Sequence, residues 1–310
     1  MVMKRAFHLL KRTFDEWMED KALRLSAALA YYSIFSIAPL LIIAIGIAGL
    51  VLGEDAVRGE LAQQLKGYVG TQAAASVQSM VQSASVSGHG WLGTVVGFTV
   101  LLFGASGVFG QLQDALNTIW EVQAKPGVGI GSIIRQRLLS FGMVLVIGFL
   151  LLISLLLTTA LAALSGYFER LTGMPAILGA VFNFIVSIAI TSTLFALIFK
   201  VLPDVQIEWR FVWIGAAVTA LLFELGKFGL SYYLGRESTA SSFGTAGSVV
   251  LLLLWVYYAS CILLFGAEFT QVFARDGGRA IQPARGAEPV SAESRAQQGL
   301  APPLVPPQVE

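Results

Sequence analysis

Glu224 and Lys227 stand three residues apart inside an otherwise apolar stretch, FVWIGAAVTALLFELGKFGLSYYL, which runs from Phe211 to Leu234. In a helix that spacing puts a carboxylate and an ammonium on one face, about one turn apart, with Gly226 and Gly229 beside them. A charge carried to bilayer depth costs roughly 2.5–3.5 kcal/mol on insertion scales, so the pair needs a partner or water. Two chemistries follow. Lining a polar groove, Glu224 would take a cation or a proton, and Lys227 an anionic headgroup such as a phosphate. As an internal ion pair the two would only fix helix register, with Asn183 or a tyrosine as a third member. Tyr31, Tyr32, Ser36, Asn183 and Tyr258 are polar groups inside other apolar stretches, and Asp114 and Asn117 lie on a polar stripe that follows one. Together with the charged pair, these are the candidate groove or transport residues.

Other chemistry is scarce. The two histidines, His8 and His89, have no cysteine, histidine or acidic neighbour at ligand spacing, so no metal site is expected. Metal-dependent RNA hydrolysis would need such a cluster, and no basic–aromatic surface offers itself to nucleic acid. The GlyLys at Gly226–Lys227 is followed by Phe228 inside the apolar stretch and is no phosphate-binding loop; the run GVGIGS from Gly127 lacks the third glycine of a dinucleotide turn. No catalytic residue and no cofactor is expected, and the chain is not read as an enzyme. Cys261 is the one cysteine, which rules out an internal disulfide.

The elements that carry these residues follow from where charge is missing. Of 310 residues 56% are hydrophobic and 13% charged, against about a quarter charged in a soluble domain. Apolar stretches at about 27–52, 91–109, 139–164, 177–201, 211–234 and 249–271 are each long enough for the ~20 helical residues that cross a bilayer, with the first holding residues to spare. The fold class expected is all-α: a polytopic membrane protein with six transmembrane helices in a domain over 27–273. Pro39 should kink the first crossing, with Ser36 at hand for the freed carbonyl. Residues 1–26 form an amphipathic helix in which Met3, Phe7, Leu10, Phe14, Trp17 and Met18 recur at helical spacing. Such a helix lies along lipid headgroups or packs on its own bundle. Residues 53–90 make a helical extracytoplasmic insert, and 274–310, rich in Pro, Ala, Gln and Gly, read as a disordered cytoplasmic tail.

Basic residues set the orientation. Fifteen lie at the N-terminus, in the 125–137 and 200–210 loops and in the tail; Arg58, Lys66, Arg170 and Arg236 lie in the opposite segments. That asymmetry puts both termini in the cytoplasm. The N-terminal run MVMKRAFHLLKRTF has no uncharged core or small-residue cleavage site, so no removable signal peptide is expected.

Four stretches together resemble the YihY / virulence factor BrkB family of bacterial inner-membrane proteins: LSAALAYYSIFSIAPL, DALNTIW, LLFELGK and FGTAGSVVLLLLWVYYASCILLFGAEFT, in the family's order between Leu25 and Phe273. Phe243 stands where the family pattern has a tyrosine and removes a hydroxyl. The resemblance implies a six-helix fold in the inner membrane. It also carries links to serum resistance and, in one relative, to export of a lipid A precursor, as well as the older label ribonuclease BN. Two functions of different kinds are therefore expected to compete. One is a transporter or lipid-translocating component whose partners are membrane lipids. The other is a non-transporting scaffold that docks an envelope protein through 53–90.

Overall fold

Backbone amides and carbonyls surrounded by hydrocarbon must be satisfied within their own segment, and a helix does this. The computed structural model describes residues 2–52, 59, 74–75, 77–79, 81–82, 107–125, 176–234, 247–278 and 281–302, and most of these are helical. In chain order the elements are α1 (Val2–Glu19), α2 (Ala22–Leu52), β1 (Val122–Ala124), α3 (Ala176–Val201), β2 (Val205–Gln206), α4 (Trp209–Leu234), α5 (Gly247–Asp276), β3 (Gln282–Pro283), β4 (Ala287–Pro289) and α6 (Ala292–Gln297). Helical residues also occur at 74–75, 77–79 and 81–82, and a helical stretch covers 107–119.

Among the described residues three helices are long and apolar enough to cross a membrane, with spans Phe184–Val201, Trp209–Lys227 and Val249–Asp276. They lie in α3, α4 and α5, where crossings are expected at 177–201, 211–234 and 249–271. The helix expected over 27–52 begins earlier, at Ala22, and runs without a break across Pro39 to Leu52. The expected crossing at 139–164, most of that at 91–109, and the insert apart from Gly59 and parts of 74–82 fall outside the described residues. His89, Phe243 and the 126–138 loop do as well.

α4 packs against both α3 and α5, and α5 against α1 and α2. Where α4 meets α5 the contact is made by small residues in a reciprocal pattern. A Cβ on Gly215 would overlap Thr270, and a Cβ on Gly266 would overlap Thr219. Each threonine turns its hydroxyl back onto its own helix: Thr219 Oγ1 donates to the Gly215 carbonyl and Thr270 Oγ1 to the Gly266 carbonyl, both at 2.7 Å. Glycine and threonine four apart on each antiparallel partner thus let two backbones approach closely with no polar group left over. Around this seam lies an apolar core that includes Leu116, Ile119, Trp120, Phe199, Val212, Ala216, Ala220 and Leu264. A second cluster joins Ala74 and Val77 to Leu252, with Ile37, Leu41 and Trp255 against it, so the 74–82 turns sit at the N-terminal end of α5.

The opposite end of the bundle is where the tail departs from expectation. Composition led to disorder from 274 onward. Instead α5 continues to Asp276, and residues 281–302 are folded onto the bundle. β4 pairs antiparallel with β1 (Val122↔Pro289), and β3 with β2 (Val205↔Pro283). Glycines at positive φ supply the turns of this segment: Gly278 (72°) after α5, Gly286 (97°) between β3 and β4, and Gly299 (70°) after α6. α6 is capped by Ser291, whose side chain accepts from the Ser294 amide. Segments read as belonging to one compartment (the N-terminal helix, the loops after 120 and after 201, and the tail) therefore meet at one end.

The glycine seam makes a direct prediction. Gly266→Ala drives a methyl into Thr219 and should lower the thermal midpoint of the detergent-solubilised protein, in line with the ~1–3 kcal/mol typical of overpacking. Gly229→Ala, with nothing within 4 Å of the new methyl, should leave it nearly unchanged.

Candidate functional site

α4 carries the charged pair into the bundle. Lys227 Nζ lies 2.6 Å from Glu224 Oε2, the short approach that an i,i+3 spacing allows. Glu224 is 3% exposed, whereas the Lys227 side chain keeps 21% of its surface open. The carboxylate's second oxygen is also satisfied: Ser187 Oγ of α3 donates to Glu224 Oε1 at 2.8 Å. A third helix closes the site. A Cβ on Gly226 would overlap the Tyr258 hydroxyl and ring, so this glycine is what lets the α5 phenol lie against the α4 backbone between the two charges. The edge-on contact of Phe223 with Trp255, centroids 6.0 Å apart, holds the same two helices one turn away.

Of the candidates read from the sequence, Glu224, Lys227 and Tyr258 are brought together. Asn183 lies one helical turn before Ser187 on α3; its side chain is outside the described set, and the serine makes the observed hydrogen bond. Ser187, four positions on from Asn183, carries no sequence signal of its own, since a hydroxyl is common in apolar helices. Tyr31 and Tyr32 sit on the exposed side of α2, packed edge to face at 5.8 Å, while Ser36 is buried, its hydroxyl within reach of Gly107.

Asp114 and Asn117 belong to a different place, the tail end of the bundle. Asn117 Nδ2 donates to Asp204 Oδ2 and Asn117 Oδ1 accepts from the Asp204 amide, both at 2.8 Å, with Gln113 Nε2 also on Oδ2 at 3.2 Å. These groups line a cavity of about 170 Å³ shared with Asp114, Gln123, Arg295 and Gln298. Burial raises the Asp114 carboxyl above its usual range.

Beside that cavity is a cluster of charges that composition gave no reason to expect. Arg275 Nη2 is 2.7 Å from Glu121 Oε2 and Nη1 is 3.5 Å from Glu16 Oε2; Arg12 Nε meets Glu16 Oε1 at 2.6 Å. Arg295, 3% exposed, puts Nη2 2.5 Å from Asp20 Oδ1 and Nη1 3.8 Å from Glu121 Oε1, and donates Nε to the Ala301 carbonyl. Glu121 adopts a left-handed φ of 53° at the turn that sets its carboxylate between the two guanidiniums. Glu268 is wholly buried beside this cluster. Arg295 could have been found: Ser291, Glu293 and Gly299 are helix start and stop signals around it. Among the described residues no group of three or more acidic, histidine or cysteine side chains could hold a metal.

The helices define a multi-pass membrane protein with a polar site at a three-helix junction. A family model described as virulence factor BrkB matches residues 13–289, and the chain belongs to that family. Similar proteins include three "UPF0761 membrane protein" sequences. The one from Teredinibacter turnerae is 28% identical over 265 residues, covering 85% of this chain and 60% of that protein. The one from Verminephrobacter eiseniae is 31% identical over 261 residues (79% and 57%). The one from Pseudoalteromonas atlantica is 26% identical over 272 residues (86% of each). The chain spans about three-fifths of the length of the first two. No solved structure matches.

Two predictions concern the tail end. Arg295→Ala removes the buried guanidinium that holds α6 to Asp20 and should expose 281–302 to limited proteolysis at low protease, while the spanning helices stay protected; an unchanged cleavage pattern would show that the strands alone hold the tail. The second concerns pH. Burial, partly opposed by Arg295, raises the Asp20 carboxyl from 3.8 to about 6. The folded chain therefore binds this proton more tightly than the unfolded one, and Asp20's contribution to stability is largest below 3.8 and lost as pH rises through about 6. The stability of the wild type relative to Asp20→Asn should thus rise between pH 7.5 and pH 4.5, read as the difference in thermal midpoints at the two pH values.

Proposed function

We propose that the protein is an inner-membrane transporter or lipid-translocating component of the bacterial envelope, with its polar route at the Glu224–Lys227 site. The observation that carries the reading is a carboxylate buried to 3% in a spanning helix, bonded on one oxygen to Lys227 and on the other to Ser187, while the lysine side chain keeps 21% of its surface open. An ammonium in that position can exchange its carboxylate for an anionic headgroup, and the vacated carboxylate can take a proton or a cation. Tyr258 supplies a hydroxyl at the same level from a third helix. The step is binding and passage, with no catalytic residue, and the partners are membrane lipids.

The reading includes six crossings with both termini in the cytoplasm. Its support is that the N-terminal helix, residues 121–125, the 201–210 loop and the C-terminal segment meet at one end, a pattern that an even number of crossings with basic residues collected on one side requires. The cavity of about 170 Å³ bounded by Asp114, Asn117 and Asp204 then lies at the cytoplasmic mouth.

The test uses purified protein in liposomes that carry fluorescent phosphatidylglycerol, with dithionite reporting movement between leaflets. Wild type should accelerate movement, and Glu224→Gln and Lys227→Met should each slow it at least about tenfold, the scale of ~1.4 kcal/mol on a barrier. A Glu224→Gln/Lys227→Met double variant that inserts, melts like wild type and moves lipid at the wild-type rate would leave only a register-fixing ion pair.

A further inference from the structure

A helix laid against a protein normally turns its apolar stripe inward. α1 does not. Leu9, Thr13, Glu16 and Trp17 are buried, whereas Phe7 (71%), Leu10 (45%), Phe14 (52%) and Met18 (47%) are exposed. At about 100° per residue the buried set, the exposed apolar set and the charged set (Lys4, His8, Lys11, Asp15, Glu19) point in three directions separated by roughly 95–145°. Such a helix has one side for the bundle, one for an apolar medium and one for water.

α5 serves as a ruler for where that medium lies. Its span, Val249–Asp276, has 28 residues, or ~42 Å, which matches the ~40–45 Å of a bilayer with its headgroups. Arg5 pairs with Asp276 at the end of that span at 2.6 Å, and Trp17 packs edge-on against Phe265, ring centroids 6.2 Å apart. α1 therefore lies beside the last three turns of that span, between the levels of Asp276 and Phe265, with Glu16 also reaching Arg275 at 3.5 Å. At that depth an exposed phenylalanine or methionine has acyl chain beside it, and Lys4 and Lys11, at the edge of the apolar arc, have phosphates within reach.

We propose that α1 is a lipid-docking helix, its Phe7–Leu10–Phe14–Met18 stripe inserted obliquely into an anionic bilayer surface and its lysines on the headgroups. The surface is separate from the Glu224–Lys227 route and holds whether or not anything passes there. It is also distinct from the bundle contact, which uses the helix's other side.

The test places single cysteines in the full-length protein after Cys261→Ser, labels them with bimane and reconstitutes them in nanodiscs of phosphatidylglycerol and phosphatidylethanolamine. Brominated acyl chains should quench Phe7→Cys, Phe14→Cys and Met18→Cys, the latter two more strongly with deeper bromines, and should leave His8→Cys and Asp15→Cys bright. Before labelling, a charged maleimide should react at least about tenfold more slowly at 7, 14 and 18 than at 8 and 15. Equal alkylation on all faces would overturn the proposal in favour of an aqueous helix. Stripe positions shielded from both maleimide and brominated lipid would overturn it in favour of a protein cover, such as a second copy.

Discussion

An ionised side chain surrounded by hydrocarbon has no water to spread its field into, and only an opposite charge or a fixed dipole close by can hold it there. This constraint shapes the molecule at two levels. In the middle of α4 it brings Lys227 to 2.6 Å from Glu224 and turns Ser187 of the neighbouring helix onto the remaining oxygen. At the tail end it knits Glu16, Asp20 and Glu121 to Arg275 and Arg295, and so ties α1, the turn after Trp120, α5 and α6 to one another. The helices that cross are apolar and have little reason of their own to choose partners. Their few polar atoms do the choosing.

Charge pairing across helices requires the helices to be close, and small residues make that possible. The α4–α5 seam uses glycine and threonine four apart on both strands, so that each backbone lies against the other's threonine. Three turns further along α4, Gly226 admits Tyr258 by the same device. With a larger residue at any of these positions the two helices would separate, and Tyr258 could no longer reach the level of the charged pair. Packing and polar chemistry are thus one design along a single interface.

How much of this was legible follows from the same physics. The spanning parts of α3, α4 and α5 could be read because hydrocarbon demands long uncharged runs, and composition records that directly. The pairing of Glu224 with Lys227 was implicit in their spacing. The partner serine was not, because a hydroxyl costs so little in a membrane helix that its presence signals nothing. The tail was misjudged because composition reports how little apolar surface a segment can bury, whereas this segment is fastened by backbone pairing to β1 and β2 and by one guanidinium. α1 could be read as amphipathic, but periodicity locates a stripe and not its direction. Only the contacts to α5 show that Thr13 and Glu16 face inward beside Leu9 and Trp17, and that Phe7 and Phe14 face outward.

The two charge sites also differ in a way that bears on what the inner one is for. Arg295 is built as a fastening: a planar fork, 3% exposed, with Asp20, Glu121 and the Ala301 carbonyl around it. A guanidinium gains most from being held in several fixed directions at once. Lys227 is a compact charge on a flexible stem, and 21% of its side chain is still open. Closing that opening would raise the attraction between the two charges and, at the same time, the cost of dehydrating them. A lysine left partly open beside a sealed carboxylate is the feature on which the proposed exchange rests. Among the described residues Arg295 and Arg275 keep only 3% and 11% of their side chains open, so this fold can enclose a cation more completely than it encloses Lys227.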